Sequence, residues 1–167
     1  MRSVQKKTRI ECLECGNLSK DNLVSGLSLI NQIFVYKEDQ DEAHRNLTDT
    51  VAGKNFGQNY WFVTDAEENA IGISGLYFGE RGDRDNGIIW LGWFGVHPDF
   101  RKRHLASLLL DFTIDKAIKQ GFKTMKIYTS TDETEQAANQ LYQKHGFLQF
   151  TSSDDGEIVY YQKQLTQ

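Results

Sequence analysis

Proline occurs once in the 167 residues, cysteine and methionine twice each, and no apolar run is long enough to span a bilayer. Each scarcity removes a class of protein. There is no tract rich in proline, glycine or serine and no internal repeat, so residues 1–167 are expected to form one domain. The two thiols, Cys12 and Cys15, cannot supply the roughly four ligands of a structural zinc site, and no metal is expected. Their C-x-x-C spacing also fits a redox pair, but reduced and chemically idle thiols are the plainer expectation for an intracellular chain. The opening MRSVQKKTRIE has no apolar stretch of the secretory kind, which predicts a cytoplasmic protein with no membrane partner. A net charge of -4 and a pI near 5.6 argue against the broad basic face of a nucleic-acid binder. What remains is an ordinary globular composition, 39% hydrophobic and 25% charged. A chain of this length buries about two-thirds of its unfolded surface, enough for a core without disulfides.

The informative stretch runs from Gly87 to Phe147. An apolar run, GIIWLGWFGVHPDF, meets a basic tetrad, RKRH, and then an amphipathic segment, LASLLLDFTIDKAIKQG. Leu105, Leu108, Leu109, Phe112 and Ile118 recur every three or four residues, which predicts a helix beginning near Arg103. The first amides of a helix lack internal partners and sit at its positive end, so an anion docked there gains several hydrogen bonds. Arg101, Lys102, Arg103 and His104 crowd that end, where cations oppose the dipole unless solvent or an anionic guest relieves them. A diphosphate would supply the missing charge. A short basic run also suits a merely solvated surface.

Two patterns here resemble a known family. V-H-P-D-F-R-K-R-H-L-A, Val96 to Ala106, resembles the pyrophosphate loop V-x-P-x-x-R/Q-x-x-G-x-G/A of the GNAT superfamily of N-acetyltransferases. A-N-Q-L-Y-Q-K-H-G-F, Ala138 to Phe147, is similar to the second signature of that family, A-x-x-L-Y-x-x-x-G-F. The resemblance implies an α/β (α+β) fold, a mixed and mostly antiparallel central sheet of about six or seven strands flanked by about four helices. It implies acetyl-CoA as acyl-donor cosubstrate, held by Phe94, Gly95 and Val96 and by Arg101, Lys102, Arg103, His104, Leu105 and Ala106. An amine would attack the thioester directly, backbone amides near Phe94 to Val96 would hold the carbonyl as charge develops, and Tyr142 would protonate the departing thiolate. The same tyrosine shares an apolar helix face with Ala138 and Leu141 and so also suits the core. Small domains of this family often pair, so a homodimer enters as a partner.

The chain departs from the family in three places. His104 stands where the loop has its first glycine, and a side chain there restricts both the backbone dihedrals and the approach of a phosphate. Glu135 stands seven residues before Tyr142, where relatives often carry an asparagine. The run from Gly87 to Val96 has no carboxylate or imidazole to act as a base, which leaves Glu80, Asp83 and Asp85 of the preceding loop GERGDRDNG, His97, a water chain, or a substrate that arrives already neutral. That loop also reads as a solvated hairpin.

Elsewhere the spacing predicts a strand over about Thr8 to Cys12 and a helix whose stripe is Leu23, Leu27, Ile30, Ile33 and Phe34. A polar segment follows from Asp39 to Val51, then a hairpin of Tyr60 to Thr64 and Ile71 to Phe78. Phe34, Tyr36, Tyr60 and Trp61 are acceptor contacts by resemblance and core residues by type. Trp90 and Trp93, three apart, should face opposite sides of a regular strand. The reading that results is an N-acetyltransferase acting on a primary amine of a small molecule or peptide. Its rival is a non-catalytic acyl-CoA-binding sensor or regulatory module of the same fold.

Overall fold

A computed structural model describes residues 15–55 and 57–166. The order is β1 (Cys15–Asn17), α1 (Leu23–Ile33), α2 (Lys37–Val51), β2 (Asn59–Thr64), β3 (Ala70–Tyr77), β4 (Ile88–Leu91) and β5 (Gly95–Val96). Then come a 3-10 turn (Pro98–Phe100), α3 (Leu105–Lys119), β6 (Thr124–Ser130), a second 3-10 turn (Glu133–Glu135), α4 (Gln136–Lys144), β7 (Leu148–Ser152) and β8 (Ile158–Gln164). The sheet runs β1-β2-β3-β4-β6-β8-β7, with β5 also on β3, and every pairing is antiparallel except β4 with β6. Eight strands stand where six or seven were expected because one strand is broken in two. The expected strand at Thr8 to Cys12, and Cys12 itself, lie outside the described residues.

Both faces of the sheet are covered at β2 and β3, so these strands read as nearly continuous apolar runs while their side chains still alternate; β7 at the far edge is exposed. Tyr60 and Phe62 of β2 go to the cluster under α1 and α2, with Leu29, Ile30, Ala43, Leu47 and Ile73. Trp61 and Val63 go the other way, toward α3 and α4. Gly26 lets α1 lie directly on the sheet, since a Cβ there would come within 2.3 Å of the Phe62 ring. The polar segment is helical after all. Only Ala43 and Leu47, four apart, are buried along α2, and Glu38 and Asp39 favour its positive N-terminal end. Across the sheet, Ser74 on β3 and Thr113 on α3 share a buried hydroxyl contact of 2.6 Å. Among the described residues no helix is long and apolar enough to cross a membrane.

The single strand expected from Gly87 to Val96 is interrupted. β3 pairs Leu76 with Leu91 and Tyr77 with Trp90, but further along it pairs Ile73 with Gly95 and Gly72 with Val96. The offset means one extra residue between Gly92 and Phe94, a bulge that shifts which side chains face each way. Trp90 and Trp93 therefore share the α2 side: Trp90 packs on Tyr77, Tyr128 and Tyr160, and Trp93 on Phe34. The alternation that would have separated them assumes a regular strand. Beside the bulge, the parallel pairing of β4 with β6 stops at Trp90 opposite Lys126, while β6 goes on pairing with β8 to Ser130. The sheet opens between these two halves.

Candidate functional site

The opening is a cavity of about 530 Å³ that reaches from one face of the sheet to the other. Leu91, Phe94, Ile127 and Tyr142 line it from the α3 and α4 side, and Tyr60, Tyr77, Trp93 and Tyr128 from the α2 side. Tyr142 comes from α4, is 4% exposed, and packs its ring among Phe94, Phe147 and Tyr161. Its hydroxyl makes no hydrogen bond to the described residues, and since no buried side-chain polar atom among them is left without a partner, it is open to the cavity it borders. Burial pushes this phenol up first, the nearby Glu135 carboxylate second, so it stays protonated at neutral pH.

Backbone amides face the same opening. Gly92 donates to the Gly75 carbonyl at 2.7 Å and His97 to Ile71 at 2.7 Å, whereas among the described residues Trp93 and Phe94 have no backbone partner for their amides. By the two-residue alternation of an antiparallel ladder, the Gly95 amide points the same way as that of His97, into β3. The amides of Phe94 and Val96 then point into the opening.

The basic tetrad lies at the end of this path. The helix α3 starts at Leu105, two residues later than its apolar spacing predicts, because His104 is left-handed at φ 59° and ψ 10° and cannot join it. Lys102 is also left-handed, at φ 61°. Such residues curl the backbone so that successive amides converge on one point, the geometry of an anion-binding nest. The amides from Lys102 through Ser107 have no hydrogen-bond partner among the described residues; the first intrahelical bond is Leu108 to His104. Lys102, Arg103 and His104 are exposed, with Arg103 also lying over the Phe100 ring. Leu105 buries its side chain against Val63, Ile71, Val96 and Leu109, leaving only its amide to the loop, and Ala106 packs on the same cluster. Arg101 turns back and donates from Nε to the Val96 carbonyl at 3.1 Å, bracing the loop against the strand it follows.

The acids expected on the hairpin are not in this cavity. Asp83 is 3% exposed, and its Oδ2 accepts from the amides of Gly79 and Glu80 and from Trp90 Nε1 at 2.7 to 3.0 Å, so it closes its own loop. Glu80 borders a separate groove with Trp90 and Tyr160. His97 accepts from the Asp99 amide at Nδ1 and meets Gln32 Oε1 through Nε2, a tie between the 3-10 turn and α1. The cavity carboxylates are instead Asp39 and Glu42 on α2 and Asp132 and Glu135 before α4. Burial pushes the Glu135 carboxyl above its ordinary range, and its Oε2 accepts from Thr129 Oγ1 at 3.3 Å. Asp132 is held low by the Thr134 amide and hydroxyl, and it also accepts from Tyr36 at 2.9 Å across the cavity mouth. Nothing in the sequence joins these four as one group, because the two pairs sit about 90 residues apart in polar segments; Glu135 stands out only as a departure from the family asparagine, and the i, i+3 spacing of Asp39 and Glu42 is the other local signal.

Of the aromatic acceptor candidates, Phe34, Tyr36 and Tyr60 line the cavity, while Trp61 faces α3 and packs on Phe112. Cys15 is packed among apolar neighbours, and burial pushes its thiol up to about 11, so little thiolate exists at neutral pH. Among the described residues no group of three or more His, Cys, Asp or Glu is placed to hold a metal.

A model of the acetyltransferase (GNAT) family matches residues 27–147. Solved structures share the fold at low identity. A GNAT-family protein from Desulfovibrio desulfuricans superposes with a TM-score of 0.79 at 14% identity, covering 92% of this chain and 100% of its own. The ribosomal-protein-S18-alanine N-acetyltransferase of Escherichia coli gives 0.67 at 15%, covering 92% and 94%. A variant of the spermidine N-acetyltransferase of Vibrio cholerae gives 0.67 at 15%, covering 92% and 95%. At these identities the structures speak for the fold alone. No curated protein matches the chain significantly.

Proposed function

The chain belongs to the GNAT acetyltransferase family, and from that premise we propose that it transfers an acetyl group from acetyl-CoA to a primary amine of a small molecule or peptide. The observation that carries this reading is the continuous path of unpaired donors: amides of Lys102 to Ser107 at the start of α3, amides facing the opened strand at Phe94, and the Tyr142 hydroxyl at its end. Six unpaired amides with exposed Lys102 and Arg103 fit a diphosphate, because they offer donors to its oxygens and the helix end adds its partial positive charge. Acetyl-CoA, when bound, would supply a thioester whose carbonyl carbon is open to attack by a neutral amine.

The chain's own residues then have separable tasks. The Lys102 to Ser107 loop binds and orients the donor. Amides at Phe94 and Val96 are fixed by the bulge before any charge appears, so they stabilise a developing oxyanion without rearranging. The Tyr142 hydroxyl, kept protonated by burial, gives its proton to the leaving sulfur as the new N–C bond forms and the C–S bond breaks. Glu135, a half-buried carboxylate in the same cavity, is placed to take the proton the amine loses. Structural neighbours named for a ribosomal-protein alanine and for spermidine leave the size of the acceptor open.

The test is free-thiol release from acetyl-CoA with a panel of amines, beside calorimetry with acetyl-CoA and CoA. Amine-dependent thiol is expected, and Tyr142→Phe should lower turnover by about a hundredfold or more while donor affinity holds. Heat on binding without amine-dependent thiol would favour the sensor reading; no heat at all would remove the donor site.

A further inference from the structure

Two cavity carboxylates lack any partner among the described residues. Asp132 accepts from Tyr36 and Thr134, and Glu135 accepts from Thr129 and lies near Arg101. Asp39 and Glu42, by contrast, accept no side-chain or backbone hydrogen bond and form no ion pair among the described residues. Lys37 of the same helix is directed elsewhere, to Asp41. Asp39 and Glu42 sit one turn apart on the face of α2 that borders the cavity, Asp39 half-buried and Glu42 at the rim. Burial and then the neighbouring Glu38 raise the Asp39 carboxyl, and the field of Asp39 in turn acts on Glu135. Among the described residues no lysine, arginine or histidine lines the cavity.

Around these acids the wall is aromatic. Tyr60, Tyr77 and Tyr128 face Glu42, and burial together with that carboxylate pushes all three phenols up. Rings of this kind accept alkylammonium groups on their faces and methylenes along their edges. At the far end the cavity holds the hydroxyl of Tyr142, a residue only 4% exposed, and that hydroxyl makes no hydrogen bond to the described residues and is open to the cavity. An anionic wall at one end and an unsatisfied hydroxyl at the other call for a ligand that carries positive charge at a distance from its reacting group.

We propose that the acceptor is a dication, a linear alkyl diamine or longer polyamine, whose non-reacting ammonium lodges between Asp39 and Glu42 while its other nitrogen reaches Tyr142. This rests on the acetyl-transfer reading above for the chemistry, and on the cavity alone for the charge. The remote ammonium fixes the alkyl chain along the tyrosines and offsets carboxylates that otherwise repel one another. The reacting nitrogen, closer to Glu135, loses its proton before attack.

The experiment compares diaminobutane with pentylamine, which has the same number of heavy atoms and one charge fewer. Thiol release at saturating acetyl-CoA should favour diaminobutane by about tenfold or more in kcat/KM, the effect of one charge-assisted contact. Asp39→Asn and Glu42→Gln should each bring the ratio of the two amines toward one. Equal or better use of pentylamine would overturn the proposal. A second arm titrates both amines into the CoA-saturated full chain, reading the fluorescence of Trp93 in the cavity wall and the heat. If no amine gives thiol, the transfer reading fails by itself and this arm still decides. Diaminobutane binding at least tenfold more tightly than pentylamine upholds the dication site, and equal binding, or none by either, refutes it.

Discussion

At the scale of single residues, His104 is a point of local strain, one of three non-glycine residues with positive φ among those described. A side chain at φ 59° brings Cβ against the following carbonyl, at a cost of roughly 1–2 kcal/mol. The family pattern has glycine there, and the structure supplies the reason: the position is left-handed, so the backbone and not the imidazole shapes the loop. His104→Gly should raise stability by about 1 kcal/mol, seen as a melting temperature about 2–4 °C higher, with acetyl-CoA affinity kept or improved. A large loss of affinity would mean that the imbalance is reversed and the ring itself contacts the donor. Glu135 carries a different strain. Its folded pKa is raised by burial, so its carboxyl is protonated in both states in strong acid, and stability is lost as pH rises through the folded value. Glu135→Gln should therefore stabilise the fold at pH near 7 and change nothing well below the ordinary carboxylate range. Thermal melts across that range check it, and a gain equal at both ends would show that the charge is not the cause.

At the scale of elements, the decisive feature is the bulge between β4 and β5. Its one extra residue frees amides from β3 and lets β6 part from β4, so the same irregularity makes both the cavity and its donors. The run GIIWLGWFGV reads as one strand because apolar content and β propensity do not register a shift of one residue; Gly92, whose amide bonds the Gly75 carbonyl, was the available sign. The helix α3 was legible from its stripe, but not its first residue, since left-handed backbone at Lys102 and His104 leaves no mark in side-chain periodicity. Arg103 belongs to this junction and not to the core. Arg103→Glu should weaken CoA binding by about tenfold or more and leave the affinity for a CoA fragment without the diphosphate unchanged, measured by calorimetry with both. Equal weakening of both would detach the loop from phosphate recognition.

At the scale of the whole molecule, a sheet held together by only three residue pairs at the β4–β6 seam depends on what fills the opening beyond them. A donor bridging the α3 loop and the strand end binds the native state alone. At a hundredfold excess over Kd it should add about 2.7 kcal/mol, a rise in melting temperature of about 5–10 °C. Scanning calorimetry with and without acetyl-CoA measures this directly, and an unchanged melt would contradict a site built across the seam.

The amino-acid sequence by itself determined the alternation of elements, the helix stripes, the hairpin of β2 and β3, and the two motifs at Val96 to Ala106 and Ala138 to Phe147. These are local: each rests on the period of a helix or strand, or on residue types at short spacing. Only the tertiary structure decided which carboxylates matter. Asp39, Glu42, Asp132 and Glu135 come from helix and loop segments that no periodicity links, and they meet because α1 and α2 cover one face of a sheet that opens beneath them. It also decided the facing of Trp90 and Trp93 and the handedness of His104, since both follow from how the backbone is bent when neighbouring strands and helices pack against it.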